Sequence, residues 1–127
     1  MKIENIKFKA KRLDNNTWVE GYFYAECGNT YIIEDRQSES MLNRNEAHQV
    51  DPSTVCQFTG LKDCEGNELY EHDLIHFVGF THTAEVIWSE GNYAFMVVSE
   101  NKHSYWLHNV IKVCRIERIG NKFDKKK

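Results

Sequence analysis

Short runs of alternating apolar and polar residues, broken at close intervals by turn-forming sequence, constrain this chain more than any other feature. Ile6-Lys7-Phe8-Lys9-Ala10 puts Ile6, Phe8 and Ala10 on one side and two lysines on the other, the pattern of a half-buried strand. Asp14-Asn15-Asn16 turns the chain into Thr17–Tyr24, and Glu26-Cys27-Gly28-Asn29 turns it again into Thr30–Ile33, so the first stretch reads as a β-meander. The polar segment Glu34–His48 reads as a long loop, and Val50–Val55, with Asp51-Pro52, as a connector. Further strands are expected at Val55–Gly60, Leu74–Val78, Ala84–Trp88, Tyr93–Val98, Tyr105–His108 and Val110–Ile116, with a hairpin turn at Ser89-Glu90-Gly91-Asn92. No window longer than about ten residues carries a 3.6-residue apolar period, so helices should be few and short. Short strands at such spacing suggest a barrel or sandwich, and the expected class is all-β: β-rich, a small SH3-like barrel with few short helices.

A chain of 127 residues is expected to form a single domain over 1–127. Its sub-lobes are an N-terminal β-meander (1–49) and a barrel-like half (50–120), followed by a basic tail (121–127). With 41% hydrophobic residues it can bury a core without disulfide or metal staples. That core is expected to include Ile6, Phe8, Trp18, Val19, Phe23, Ile32, Phe58, Leu61, Leu74, Ile75, Phe77, Val86, Trp88, Phe95, Val97, Ile111, Val113 and Ile116. Most of the other aromatics, Tyr22, Tyr24, Tyr31, Tyr93, Tyr105 and Trp106, are also better assigned to the interior than to base stacking. No apolar run approaches the roughly 20 residues that span a bilayer, and the start MKIENIKFKAKRL has no apolar signal core. Both point to the cytoplasm, where Cys27, Cys56, Cys64 and Cys114 would be free thiols.

The net charge of −3 conceals an uneven distribution. Lys7, Lys9, Lys11 and Arg12 make the beginning basic, and Arg115, Arg118, Lys125, Lys126 and Lys127 make the end basic, around an acidic middle. Side by side, the two ends would form a face able to contact phosphate. Solvation of edge strands and of a tail is the simpler account.

Val50-Asp51-Pro52-Ser53-Thr54-Val55-Cys56 leads into Gln57-Phe58-Thr59-Gly60-Leu61-Lys62-Asp63, then Gly66 and Glu68-Leu69-Tyr70-Glu71-His72-Asp73-Leu74-Ile75. This stretch resembles the signature of the YopX family, QFTGLKDKNGKEIYEGDI preceded by VDPETV. Ile6–Ala10, Trp18-Val19 and Gly21 resemble the family's opening, Val86 and Trp88 its V-x-W, and Ile119-Gly120-Asn121 its closing V-I-G-N. Two departures stand out: His72 replaces the family's glycine, and Lys122-Phe123-Asp124 replaces an NPEL-like ending. The resemblance implies a YopX-like β-rich barrel and an origin in bacteriophages, prophages or mobile elements. It carries over no catalytic residue.

Read physically, Gly60 lets the chain leave a strand, Gly66 takes a positive φ in a solvated turn, Leu69-Tyr70 packs on the core, and Asp73 receives backbone N–H groups. Alternatively, Lys62, Asp63, Glu71 and Asp73 line a binding surface. His72 and His76 would sit about 13 Å apart on an extended strand, too far for one zinc, with His82 beyond. The cysteines show no C-x-x-C spacing. No glycine-rich phosphate loop or nucleophile motif is present, so no cofactor and no catalytic or metal residue is expected. The expectation is a non-catalytic binding or assembly module that pairs with itself or another protein, without a membrane. The alternative is nucleic-acid binding through the basic ends.

Overall fold

The computed structural model describes residues 5–34 and 47–124. Lys125, Lys126 and Lys127 lie outside the described residues, as do residues 35–46 of the expected loop. The chain divides into two compact units, at Phe58/Thr59.

The first unit is built from β1 (Phe8–Lys11), β2 (Trp18–Glu26), β3 (Asn29–Ile33), β4 (Ala47–Val50) and the start of β5 (Cys56–Lys62), a strand that runs on into the second unit. Its strand order is β4-β3-β2-β1-β5, every pair antiparallel. The meander is as expected, but Ala47–Val50 is a strand rather than loop and connector, because it pairs with β3 from Thr30↔Val50 to Ile33↔Ala47. An antiparallel bridge Arg12↔Val50 and the bond from Leu13 N–H to Gln49 O (3.0 Å) bring β4 back to the end of β1. The curl encloses Ala10, Val19, Ile32 and Val50, with Phe8 and Val55 packed against them. Asp51 begins the 3-10 turn Pro52–Thr54 by accepting the Ser53 N–H, and Thr54 Oγ1 accepts the Lys11 N–H at 2.9 Å.

The tight curl explains Gly21. A Cβ there would lie 1.9 Å from the carbonyl oxygen of Ile33 on β3, at a φ of +155°. Only glycine lets the two backbones approach so closely.

The second unit holds the rest of β5, β6 (Glu68–Tyr70), β7 (Asp73–Phe77), β8 (Thr83–Ser89), β9 (Ala94–Ser99), β10 (Ser104–Trp106), α1 (Leu107–Val113) and β11 (Ile116–Asn121). Its five-stranded antiparallel sheet has the order β10-β9-β8-β7-β11. Leu69, Ile75, Ala84, Val86, Val97, Leu107, Val110 and Ile116 form its buried core, with Leu61, Phe77, Phe95 and Ile111 packed against them. The strands expected at Leu107-His108 and over Val110–Val113 are instead α1. Leu107, Val110 and Ile111 recur at helical spacing, and this turn-long pattern is too short to stand out in sequence. Gly60, expected to end its strand, sits inside β5 at φ +86°, with the strand continuing to Lys62.

The all-β class is borne out, with α1 as its short α-helix. Several expected core residues are not in the core: Ile6, Phe23, Trp88 and Val113 are exposed. So are Tyr22, Tyr24, Tyr93, Tyr105 and Trp106, against the expectation of burial. They fall on the outer sides of thin sheets or at the ends of strands, where the chain supplies no second layer among the described residues. Of the cysteines, Cys56 alone is buried, its thiol donating to the Thr54 carbonyl at 3.2 Å, while Cys27, Cys64 and Cys114 are exposed. All four are free.

Candidate functional site

Within the second unit, the central motif from Thr59 to Asp73 gathers around β6, β7 and β11. Gln57 and Phe58 stand on β5, where Phe58 is buried and Lys7 places its ammonium 4.9 Å from the Phe58 ring centroid. Thr59 Oγ1 donates to Leu69 O at 2.8 Å and accepts the Leu61 N–H, tying β5 to β6. Leu69 and Tyr70 are fully packed, as the motif implied.

Asp63, which the turn composition Lys62, Asp63, Gly66 and Asn67 would place in solvent, is buried. Its Oδ1 accepts the N–H groups of Glu65 (2.9 Å) and Asn67 (2.8 Å), and its Oδ2 accepts Asn67 Nδ2 (3.1 Å) and the Arg118 N–H (2.7 Å). Burial alone would raise its pKa, but these donors outweigh it and hold the carboxyl below the usual carboxylate range. With Gly66 at φ +89°, the turn closes on Asp63 through Asp63 N–H to Asn67 O (2.9 Å) and Gly66 N–H to Asp63 O (3.1 Å). The same turn satisfies an edge: the Arg118 N–H and the Ile116 C=O point away from β7, and Asp63 Oδ2 and the Cys64 N–H (3.0 Å) meet them. An exposed edge strand is thereby closed to further pairing. Lys62 beside it is exposed.

Asp73 is completely buried. It accepts the Tyr70 N–H at 2.7 Å, as expected, and also Asn121 Nδ2 at 2.8 Å and Arg118 Nε at 3.1 Å. Asn121, from the closing motif, also accepts the Phe123 N–H at 2.9 Å and gives its own N–H to Asp124 at 2.8 Å. The Glu71 carbonyl stands 3.4 Å from Asn121 Nδ2. His72 takes the left-handed conformation, φ +71°, that the family's glycine would adopt without strain. It is held there by its N–H on Val86 O, by Lys122 N–H on its carbonyl (2.8 Å), by Glu85 at Nδ1 (2.9 Å) and by the edge of Phe123.

The other histidines are engaged separately. His76 places Nδ1 3.1 Å from Glu117 and Nε2 2.6 Å from the Phe80 carbonyl, and exposed His82 stacks beside Phe80. Among the described residues, no three His, Cys, Asp or Glu side chains gather in an arrangement that could hold a metal.

The basic candidates do not share one environment. Lys9 and Lys11 are buried and direct their ammoniums at the Trp18 ring, 4.7 and 5.4 Å from its centroid. Arg12 binds Asp14 at 2.6 Å and lowers that carboxyl's pKa, and Arg118 binds Asp73, while Arg115 is exposed.

Two surfaces escaped the sequence reading. In the second unit, Phe77, Phe80, His82, Tyr105, Val110 and Val113 line much of an open groove of about 380 Å³. In the first, Tyr22, Phe23 and Tyr24 are exposed on β2. The signal for the latter was present: WVEGYFYAE loses its alternation at Tyr22, so both faces become aromatic or apolar.

No curated protein matches the chain. The family model described as YopX protein matches residues 6–126. That span takes in the opening strand, the Asp63 and Asp73 turns and the Asn121 closure, and on it the chain belongs to the YopX family.

Proposed function

We propose that the chain is a non-catalytic binding or assembly module. It is encoded by a phage, prophage or other mobile element and acts in the cytoplasm of a bacterial host through contact with a protein, another copy of itself included. The observation that carries this reading is the apolar surface of the second unit, where Phe80 and Val113 are 62% and 79% exposed along the groove. Exposed apolar groups gathered on one concave surface mark contact sites more often than they mark solvent-facing positions. The ionisable members of the motif support it too, since Asp63 and Asp73 are committed to holding turns and β11 in place.

Nucleic-acid binding through Lys7, Lys9, Lys11, Arg12, Arg115, Arg118 and Lys125–Lys127 is the second reading, favoured by the exposed Arg115. Burial of Lys9 and Lys11 and the pairing of Arg12 and Arg118 weigh against it.

Affinity recovery from infected or lysogenic cells, at low and high salt and with and without nuclease, separates the two. A single protein recovered under all conditions, and lost with Val113→Asp, is the expected result. Nuclease- and salt-sensitive recovery lost with Arg115→Glu would move the assignment to nucleic acid.

A further inference from the structure

Among the described residues, β2 has no strand partner on one edge beyond Gly21, and the side chains around that edge specify what fits it. β1 pairs with β2 only from Lys11↔Trp18 to Phe8↔Gly21, whereas β2 continues to Glu26. Cys27 and Gly28 both have positive φ (54° and 81°), the two-residue turn in which Glu26 and Asn29 form the first hydrogen-bonded pair. Alternation then makes Tyr24↔Tyr31 and Tyr22↔Ile33 hydrogen-bonded pairs too. The N–H and C=O groups of Phe23 and Ala25 therefore point to the opposite edge, where no described residue meets them.

Side chains flank this edge with a definite chemistry. Tyr22 and Tyr24 lie on the face of β2 that carries Trp18, and Tyr24 stacks on Tyr31 with centroids 5.0 Å apart. Glu26 follows on that face, is exposed, and has no ion-pair partner among the described residues. Phe23 faces the other way and meets the edge of Phe8 at 4.7 Å. One turn of sequence earlier, the same strand already shows the solution to such an edge. There β1 lies alongside, its Lys9 and Lys11 over Trp18 and its Phe8 and Ala10 on the other face. The aromatic row continues past Trp18 to Tyr22 and Tyr24, while Lys7, the next lysine in the alternation, places its ammonium over Phe58.

We propose that the Tyr22–Glu26 edge binds an extended segment of a partner protein that alternates basic and apolar residues. The segment adds as a strand in line with β1. Its backbone bonds Phe23 and Ala25, its Lys or Arg side chains lie over Tyr22 and Tyr24 and beside Glu26, and its apolar side chains meet Phe23. This rests on the reading of the chain as a binding module and names the chemistry of its partner.

The test is a titration of the ¹⁵N-labelled full chain with a synthetic peptide of the chain's own Ile6–Arg12 sequence, and with a counterpart carrying glutamate for each lysine. The basic peptide should slow hydrogen exchange at the Phe23 and Ala25 amides and shift resonances from Tyr22 to Glu26, while the acidic one does neither. Glu26→Lys and Tyr24→Ala should each weaken binding about fivefold, the loss of one ion pair or one aromatic contact. Ala25→Pro should abolish it without opening the β2–β3 ladder, because that N–H faces away from β3. Glu26→Lys leaves the backbone unaltered should the proline variant fold poorly. Equal binding of both peptides, perturbation elsewhere, or unchanged affinity in Ala25→Pro would overturn the proposal. So would protection of the same amides by self-association without peptide, which would make a second copy the occupant. Recovery of a cellular partner that survives Ala25→Pro but not Val113→Asp would leave the binding-module reading standing and remove this one. Absence of both peptide binding and a recovered partner would remove both.

Discussion

Replacing Gly21 by alanine tests the tight curl of the first unit. The added methyl carbon would sit 1.9 Å from Ile33 O and 2.8 Å from Ile33 C. Carbon–oxygen contacts relax only near about 3.3 Å, so β3 would have to retreat by roughly 1.4 Å. A displacement of that size breaks the Tyr22↔Ile33 ladder pair, worth about 1–3 kcal/mol for its two hydrogen bonds. The positive φ adds about 1–2 kcal/mol for any residue with a Cβ. The expected loss is about 2–5 kcal/mol, a large part of the stability of a small domain. Gly60→Ala is the control, because Gly60 also has a positive φ, +86°, but a Cβ there meets nothing within 4 Å. It should lose only the backbone cost, about 1–2 kcal/mol. Urea unfolding followed by tryptophan fluorescence measures both, and Trp18 reports on the first unit. Equal destabilisation in the two variants, or a loss below about 1 kcal/mol in Gly21→Ala, would refute the steric argument.

Asp63 has a folded-state pKa below its unfolded value, so its contribution is fully present above the ordinary carboxylate range near pH 4 and lost as pH falls through the folded value. Urea midpoints should therefore fall more steeply with acidification in wild type than in Asp63→Asn, and parallel curves would contradict this. At His72, alanine should be less stable than glycine by about 1 kcal/mol in thermal melts, since both lose the Glu85 contact and only alanine keeps the left-handed strain. Phe58→Ala should cost about 3–5 kcal/mol, whereas Trp88→Ala, at a position 37% exposed, should cost about 1–2 kcal/mol. Similar losses for the two in chemical denaturation would place Trp88 in the core after all.

Local chemistry was legible wherever it depended on neighbours in sequence. Alternation located β1, strand-forming residues between turns located β2, β3, β8 and β9, and turn residues located the Cys27-Gly28 and Gly66 turns, the latter with its positive φ. Asp73 could be assigned a role as acceptor of backbone N–H groups because such a bond is local, and the one it takes, from Tyr70, spans three residues. The motif was long enough to identify the YopX family before any coordinates. Pairings distant in sequence were a different matter. That Asp63 closes the edge of β11, 55 residues away, or that Ala47–Val50 pairs with β3, depends on register that no local pattern encodes.

Burial divided along the same line. Alternation says which residues share a face, and it grouped Lys9 with Lys11 and Phe8 with Ala10. Whether a face is covered depends on what other parts of the chain supply. Trp18 turns the lysine face into a buried one, while Phe23, Trp88 and Val113 have the hydrophobicity of core residues and stand in solvent. A side chain's preference for the interior is a property of the residue, and so the sequence determined most of the strands, the turns and the family. The existence of an interior at that place is a property of the packed chain, and so only the tertiary structure decided which apolar residues became core and which were left as surface.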